Sequence, residues 1–319
     1  MRLVFAGTPA FSVPCLEALF DAPDTEVVGV VSQPDRPAGR GMRLSPSPVK
    51  QVALDAGCDV ITPERLRGDK DALRWLQERR PDVLVVVAFG MILPVEWLNA
   101  PRVAPLNVHA SLLPRWRGAA PIERALLAGD AETGACIMHM EQGLDTGGVY
   151  ACWNLPIGPQ TTGAVLWEEL SQLGAGLLTD TLPGIVAGDV RSVPQDDAQA
   201  TYAAKLSNED RIIDWSLPAT QLDLQVRCFS PRPGARTRID GKWLKVIRGE
   251  PCRGHTQLAP GSVASDSLAI ACGGGSMYRL LEVQPEGKKA MPAADFLRGR
   301  PLSRGDVLGE TGSNDAAHG

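Results

Sequence analysis

Residues 82–93, DVLVVVAFGMIL, form the most apolar stretch of this chain and limit its possible folds more than any other feature. Apolar residues run on here without alternation, and Val27 to Val31 (VVGVV) repeats the pattern. A strand with one wet face alternates apolar and polar residues. A strand apolar throughout must be covered on both sides, as happens inside a parallel α/β sheet. Leu3 to Ala6, then Gly7-Thr8-Pro9 and a helical pattern over 11–20, read as the opening β-α unit. Helices are expected over 49–57, 70–80, 119–127 and 164–188, and strands at 60–61, 83–88, 106–109, 135–140 and 149–156, the last antiparallel. No G-x-G-x-x-G follows the first strand, which argues against a nicotinamide cofactor.

Leu106-Asn107-Val108-His109 alternates apolar with polar, so a strand here puts Asn107 and His109 on one face. At the C-terminal end of a parallel strand, that face meets the crevice where α/β folds bind ligands. An imidazole can take a proton through one nitrogen and be oriented through the other. An Asn amide can donate to an oxygen that is gaining negative charge. Together they suit acyl transfer, and Asp145, in G-L-D-T-G, is the best downstream group to orient the ring. A lone His is more often structural, as His139 is expected to be; Asn107, the Pro-rich loop that follows and Asp145 single out His109.

The segment 33–50, QPDRPAGRGMRLSPSPVK, is too rich in Pro and Gly for regular structure, and Arg36, Arg40, Arg43 and Lys50 make a polyanion its natural partner. Arg115 and Arg117, flanking Trp116, form a second basic cluster suited to steering an anion. Residues 1–200 hold 16 Lys+Arg against 24 Asp+Glu, and 201–319 hold 16 against 13. The net charge of -5 therefore hides a mildly basic second half. There, short strands divided by Gly, with a hairpin over 235–247 around Asp240-Gly241, suggest a small OB-like barrel. Arg236, Lys242 and Lys245 would form a basic strip on it.

Domains are expected over 1–188 and 205–311, with a polar linker at 189–204 and a disordered tail at 312–319. The seven Cys contain no C-x-x-C pair and read as reduced thiols of a cytoplasmic protein, with no metal site. No signal pattern and no apolar run long enough for a membrane span is seen, so no membrane partner is expected.

Asn107, His109 and Asp145, with Ser111-Leu112-Leu113-Pro114 between them, resemble the signature of the folate-dependent formyltransferases. SLLPRWRGAAPI, together with QPDRPAGRG, is similar to the branch of that family acting on methionyl initiator tRNA, and the likeness runs from Phe5 to about Leu308. It implies a Rossmann-like formyltransferase domain followed by an OB-like tRNA-binding domain. The formyl group of 10-formyltetrahydrofolate would pass directly to the methionyl α-amine through a tetrahedral intermediate, without metal. Asn107 would stabilise the oxyanion, His109 would act as the base and Asp145 would orient it. Folate would lie against Phe89, Gly90, Met91, Ile92, Ser111, Leu112, Leu113 and Pro114. The tRNA would meet Arg36, Arg40, Arg43, Lys50, Arg236, Lys242 and Lys245, with Arg40 foremost, and a monomer is expected. Members acting on small acceptors would share the three polar residues but leave the basic loop unexplained. A non-enzymatic RNA-binding protein would make all three incidental.

Overall fold

The computed structural model describes residues 1–38 and 43–309. Contacts divide the chain into two units: Met1–Ile122, Glu132–Pro156 and Trp167–Ala204 form the first, and Glu123–Ala131, Ile157–Leu166 and Lys205–Gly319 the second. Arg40 and the expected tail at 312–319 lie outside the described residues.

The first unit is built from β1 (Arg2–Gly7), α1 (Val13–Asp21), β2 (Glu26–Val31), β3 (Arg36–Ala38), β4 (Arg43–Ser45), α2 (Pro48–Asp55), β5 (Val60–Ile61), α3 (Lys70–Glu78), β6 (Val83–Val87), α4 (Val95–Leu98), β7 (Ala104–His109) and β8 (Arg117–Gly118). α5 (Pro121–Ala128) follows, then β9 (Glu132–His139), β10 (Val149–Pro156), α6 (Gly163–Ala187) and β11 (Tyr202–Ala203). Residues of α5 and α6 contribute to both units.

The main sheet has the order β10-β9-β7-β6-β1-β2-β5. The five strands from β7 to β5 are parallel, and β9 and β10 extend the sheet antiparallel from β7. Every residue of β6 is buried, as its unbroken apolar run requires. Burying each such Val or Leu contributes roughly 1.5–3 kcal/mol. Leu84 and Val86 join Phe89, Leu76 and Trp97 in one core cluster. α3 begins where the Asp69 carboxylate accepts from the Ala72 N–H at 2.9 Å, capping an otherwise unpaired donor.

Two expectations are corrected here. The segment 33–50 holds regular structure after all: β3 and β4 pair antiparallel, Arg36 opposite Ser45, and α2 starts at Pro48. A two-stranded ribbon leaves alternate N–H groups outward, so Pro37 is tolerated there, and Ser47 caps α2 by accepting from the Lys50 N–H. The second correction concerns two of the cysteines. Cys136 and Cys152 stand directly opposite in the β9–β10 ladder and are joined as a disulfide, whereas the other five are free. Their sequence spacing gives no hint of that pairing, which comes from the register.

The residues expected as a linker, 189–204, belong to the first unit. Val193 bridges to Val149, and β11 pairs in parallel with β8.

The second unit contains α7 (Ala219–Phe229), β12 (Ala235–Ile239), β13 (Lys242–Cys252), β14 (Val263–Ser265), β15 (Ala269–Ala271), β16 (Met277–Pro285), β17 (Met291–Pro292) and α8 (Ala293–Gly299). Its antiparallel sheet runs β12-β13-β16-β15-β14, with β17 also on β16. The hairpin turns at Asp240 and Gly241, both at positive φ (47° and 75°), the conformation an Asp-Gly pair favours between twisted strands. Trp215, Leu222, Val226, Phe229, Leu244, Val246, Ile270 and Leu280 form its buried apolar interior, and the Trp215 indole donates to Thr237 Oγ1 at 3.0 Å. Among the described residues, no helix is long and apolar enough to cross a membrane.

Candidate active site

Asn107 and His109 are two residues apart on β7, so they face the same side of the sheet as their alternation requires. Asn107 pairs in register with Val86 of β6, and His109 with Cys136 of β9. Asn107 is half-buried, and His109 is 5% exposed. His109 Nε2 lies 3.0 Å from the Trp116 carbonyl, and Nδ1 lies 3.7 Å from Asp145 Oδ2. A neutral imidazole has one N–H to give, and the carbonyl can only accept. A protonated ring finds an acceptor facing each nitrogen.

Asp145 sits in the left-handed region (φ 52°), and its Oδ2 accepts from the Gly118 N–H at 2.8 Å. Gly118 must be glycine: at φ 119°, a Cβ would lie 2.8 Å from the Ala203 carbonyl oxygen of β11. The loop that leaves β7 therefore supplies both partners of the site, the Trp116 carbonyl for His109 and the Gly118 N–H for Asp145.

The four residues expected at folate after β7 have different surroundings. Ser111 is fully buried, and its hydroxyl donates to the Arg115 carbonyl at 2.6 Å, so it holds the loop. Leu112, Leu113 and Pro114 are half-buried. In the other segment, Phe89 is core at 2% exposure, Met91 is half-buried and Ile92 is open at 92%. Gly90 has φ 79°, and a Cβ there would meet Gln33 Nε2 at 2.5 Å, so its close neighbour is the Gln33 side chain. Gln33 donates to the Phe89 carbonyl at 2.9 Å and accepts from Arg36 at 2.5 Å. Ile92, open, and Met91, half-buried, form an apolar pair in the loop that follows β6.

Arg117 departs from the steering role expected of it. It is 2% exposed, with Nε donating to Gln195 Oε1 at 3.0 Å and the guanidinium paired with Asp197 at 2.7 Å. Burial opposes its charge, but hydrogen bonding to Asp197 and Tyr202 more than offsets this and lifts its pKa above the ordinary value. Arg115 is exposed and lies over the Trp116 ring, 4.4 Å from its centre. Gln195, Asp197, Thr201 and Tyr202 are the contacts sequence reasoning missed. Their polar segment lacks periodicity, and its one signal, the unexplained charge at Arg117, lies some eighty residues earlier.

The cysteine nearest His109 in the sheet, Cys136, is held in the disulfide with Cys152. Burial pushes the Cys15, Cys228 and Cys272 thiols up to about 12, which leaves them protonated and poor nucleophiles at neutral pH. His139 is only 3.4 Å from the Tyr150 hydroxyl, and burial holds its imidazole below the ordinary pKa. Among the described residues, no group of three or more His, Cys, Asp or Glu could hold a metal ion.

Of the cations expected to meet an anion, Arg36 and Arg43 are exposed, while Lys50 is paired with Asp35 at 2.7 Å. In the second unit, the guanidinium groups of Arg236 and Arg238 lie over the Trp243 ring at 4.0 and 4.3 Å. Arg211, Arg236, Trp243, Lys245 and Lys288 line a cavity of about 310 Å³ together with Glu286. Burial, and then repulsion from Arg236, lower the Arg211 pKa, a sign of crowded positive charge. Lys242 is exposed beside this cluster and lines a neighbouring cavity.

Residues 1–182 match the family model described as formyl transferase, and residues 205–301 the one described as formyl transferase, C-terminal domain. The chain is 48% identical over 309 residues to the methionyl-tRNA formyltransferase of Acidiphilium cryptum, covering 97% of this chain and all of that one. It is 47% identical over 312 residues to that of Magnetococcus marinus, covering 97% and 98%. Among solved structures, the N-formyltransferase from Helicobacter canadensis, in complex with folinic acid and dTDP-3-aminofucose, has a similar fold. The TM-score is 0.66 at 18% identity, with 89% of this chain and 99% of that one covered.

Proposed function

Because this chain belongs to the formyl transferase family, we propose that it transfers the formyl group of 10-formyltetrahydrofolate to the α-amino group of methionyl initiator tRNA. The observation that carries this reading is near full-length identity of 46–48% to several bacterial methionyl-tRNA formyltransferases, joined to Asn107 and His109 at the C-terminal end of β7 with the Asp145 carboxylate 3.7 Å from the imidazole.

A free α-amine has a pKa of about 8, so at neutral pH it needs only positioning, a proton acceptor and stabilisation of the charge it creates. Asn107 donates to the formyl oxygen as that oxygen gains negative charge, a kind of contact worth roughly 3–4 kcal/mol in other enzymes. His109 takes the proton from the attacking amine through Nε2, which leaves the Trp116 carbonyl for the amine while Nδ1 keeps its proton toward Asp145, and returns that proton to N10 of the departing folate. Asp145 fixes the ring through Nδ1. The 3.7 Å separation is longer than a hydrogen bond, and catalysis by this route requires it to shorten in the reacting complex. Folate rests on the pair Met91 and Ile92 and on Leu112 to Pro114, with Phe89 and Gly90 adjoining that pair.

The tRNA is held by charge. Arg36, Arg40 and Arg43 in the first unit, and Arg236, Lys242 and Lys245 in the second, attract its phosphates, and Lys50 contributes by holding Asp35. The second unit is read as an OB-like barrel presenting that cationic face, with domains near 1–188 and 205–311. A cytoplasmic location, where aminoacylated tRNA is found, completes the reading, as does a monomer, which light scattering would give as 34.0 kDa.

The test is a transfer assay with 10-formyltetrahydrofolate and methionyl initiator tRNA, beside a control lacking tRNA. Formylmethionyl-tRNA formed in proportion to enzyme is expected. Folate turnover equal with and without tRNA would assign the chain to hydrolysis instead.

A further inference from the structure

The catalytic loop around Asp145 is fastened from behind by one amide. Gln195 Nε2 donates to the Asp145 carbonyl at 2.8 Å and to the Gly147 carbonyl at 2.7 Å, while its Oε1 accepts from buried Arg117 Nε at 3.0 Å. Arg117 stands between Trp116, whose carbonyl faces His109, and Gly118, whose N–H holds the Asp145 carboxylate. The Gln195 side chain therefore ties together the two loops that supply the partners of His109.

We propose that Gln195 is a positioning residue for formyl transfer, setting the distance between Asp145 and His109 by bridging the Asp145 loop to Arg117. This rests on the function proposed above. The chemistry of the bridge calls for an amide: two carbonyl oxygens need donors and one guanidinium N–H needs an acceptor. A Glu of the same shape keeps the acceptor, strengthens the pairing with Arg117 and sets a carboxylate oxygen against two carbonyls. The Asp145 loop, already in a left-handed conformation, then loses its rear support. Displacement of a catalytic group by about 1 Å can cost on the order of 100-fold in rate.

The experiment is a double-mutant cycle on the full chain, with kcat and the KM for folate and for tRNA measured for wild type, Gln195→Glu, Asp145→Asn and the double variant. Gln195→Glu should lower kcat about 10- to 100-fold with both KM values nearly unchanged. In the Asp145→Asn background, the same substitution should change kcat by no more than about twofold, because the group it positions is already disabled. Thermal unfolding and near-UV circular dichroism check that each variant folds; if Gln195→Glu does not, Gln195→Met, uncharged and of similar length, takes its place. Equal losses in both backgrounds, or a raised KM with kcat intact, would overturn the assignment. A wild type that forms no formylmethionyl-tRNA would remove the proposed function itself, and this assignment with it.

Discussion

Around His109, charges are met by partners: the Asp145 carboxylate by the Gly118 N–H, and buried Arg117 by Asp197 and Gln195. Around Trp243, like charges stand together, and burial first, then repulsion from Arg236, lowers the Arg211 pKa. The first region, its polar groups fixed in one geometry, is suited to steering protons between defined atoms. The second gathers Arg211, Arg236, Lys245 and Lys288 around one cavity with Glu286 as its acidic residue. That suits a polyanion, whose many phosphates need attraction more than exact placement. Under the proposed function the difference divides the labour: fixed pairing serves chemistry in the first region, and gathered positive charge serves anchoring in the second.

The largest expected effect lies in the first region. His109→Ala should lower kcat on the order of 1000-fold while the folate KM stays nearly constant, since it removes a proton acceptor used only in the reaction. Near-normal kcat in a steady-state assay would break the comparison at its strongest point. Asn107→Ala should follow with a loss of about 100-fold, again in kcat.

The second region should respond in binding. Arg236→Ala with Lys245→Ala should raise the tRNA KM about tenfold at moderate salt and reduce the slope of log binding against log salt by about two, near one per cation removed. A filter-binding titration at several salt concentrations checks this, and a slope equal to that of wild type would refute it.

The smallest effect is on acid stability, and it sharpens the contrast by touching one paired carboxylate in each unit. The Asp82 carboxyl is held below its ordinary 3.8 by the Arg2 backbone N–H and by Arg102, and the Asp210 carboxyl below 3.8 by the Ser207 backbone N–H and by Arg124. A lowered folded pKa means that the stabilisation is complete above 3.8 and fades as pH falls through the folded value. Tm should therefore drop in that acid window for wild type and drop less steeply for Asp82→Asn and Asp210→Asn. Parallel curves in calorimetry would contradict it.

Much of the first region was legible in the sequence, because a run such as VLVVV has few ways to be covered and alternation over 106–109 sets a shared face for Asn107 and His109. The Asp-Gly hairpin was legible for the same reason: its φ values are local. What escaped depended on long-range register. Cys136 meets Cys152 only once β9 and β10 are paired. Gln195 lies in a polar stretch read as a linker, and nothing local tells that its amide reaches the Asp145 loop. The pairing of β3 with β4 was hidden by Pro37, which argues against strands in general but not at an outward-facing position of a two-stranded ribbon.

The most direct test is single-turnover formyl transfer at saturating methionyl initiator tRNA, comparing His109→Ala with the Arg236→Ala, Lys245→Ala double variant. The account predicts a rate constant reduced on the order of 1000-fold in the first and close to wild type in the second. A comparable fall in both, or a fall only in the second, would contradict the division of labour on which the account rests.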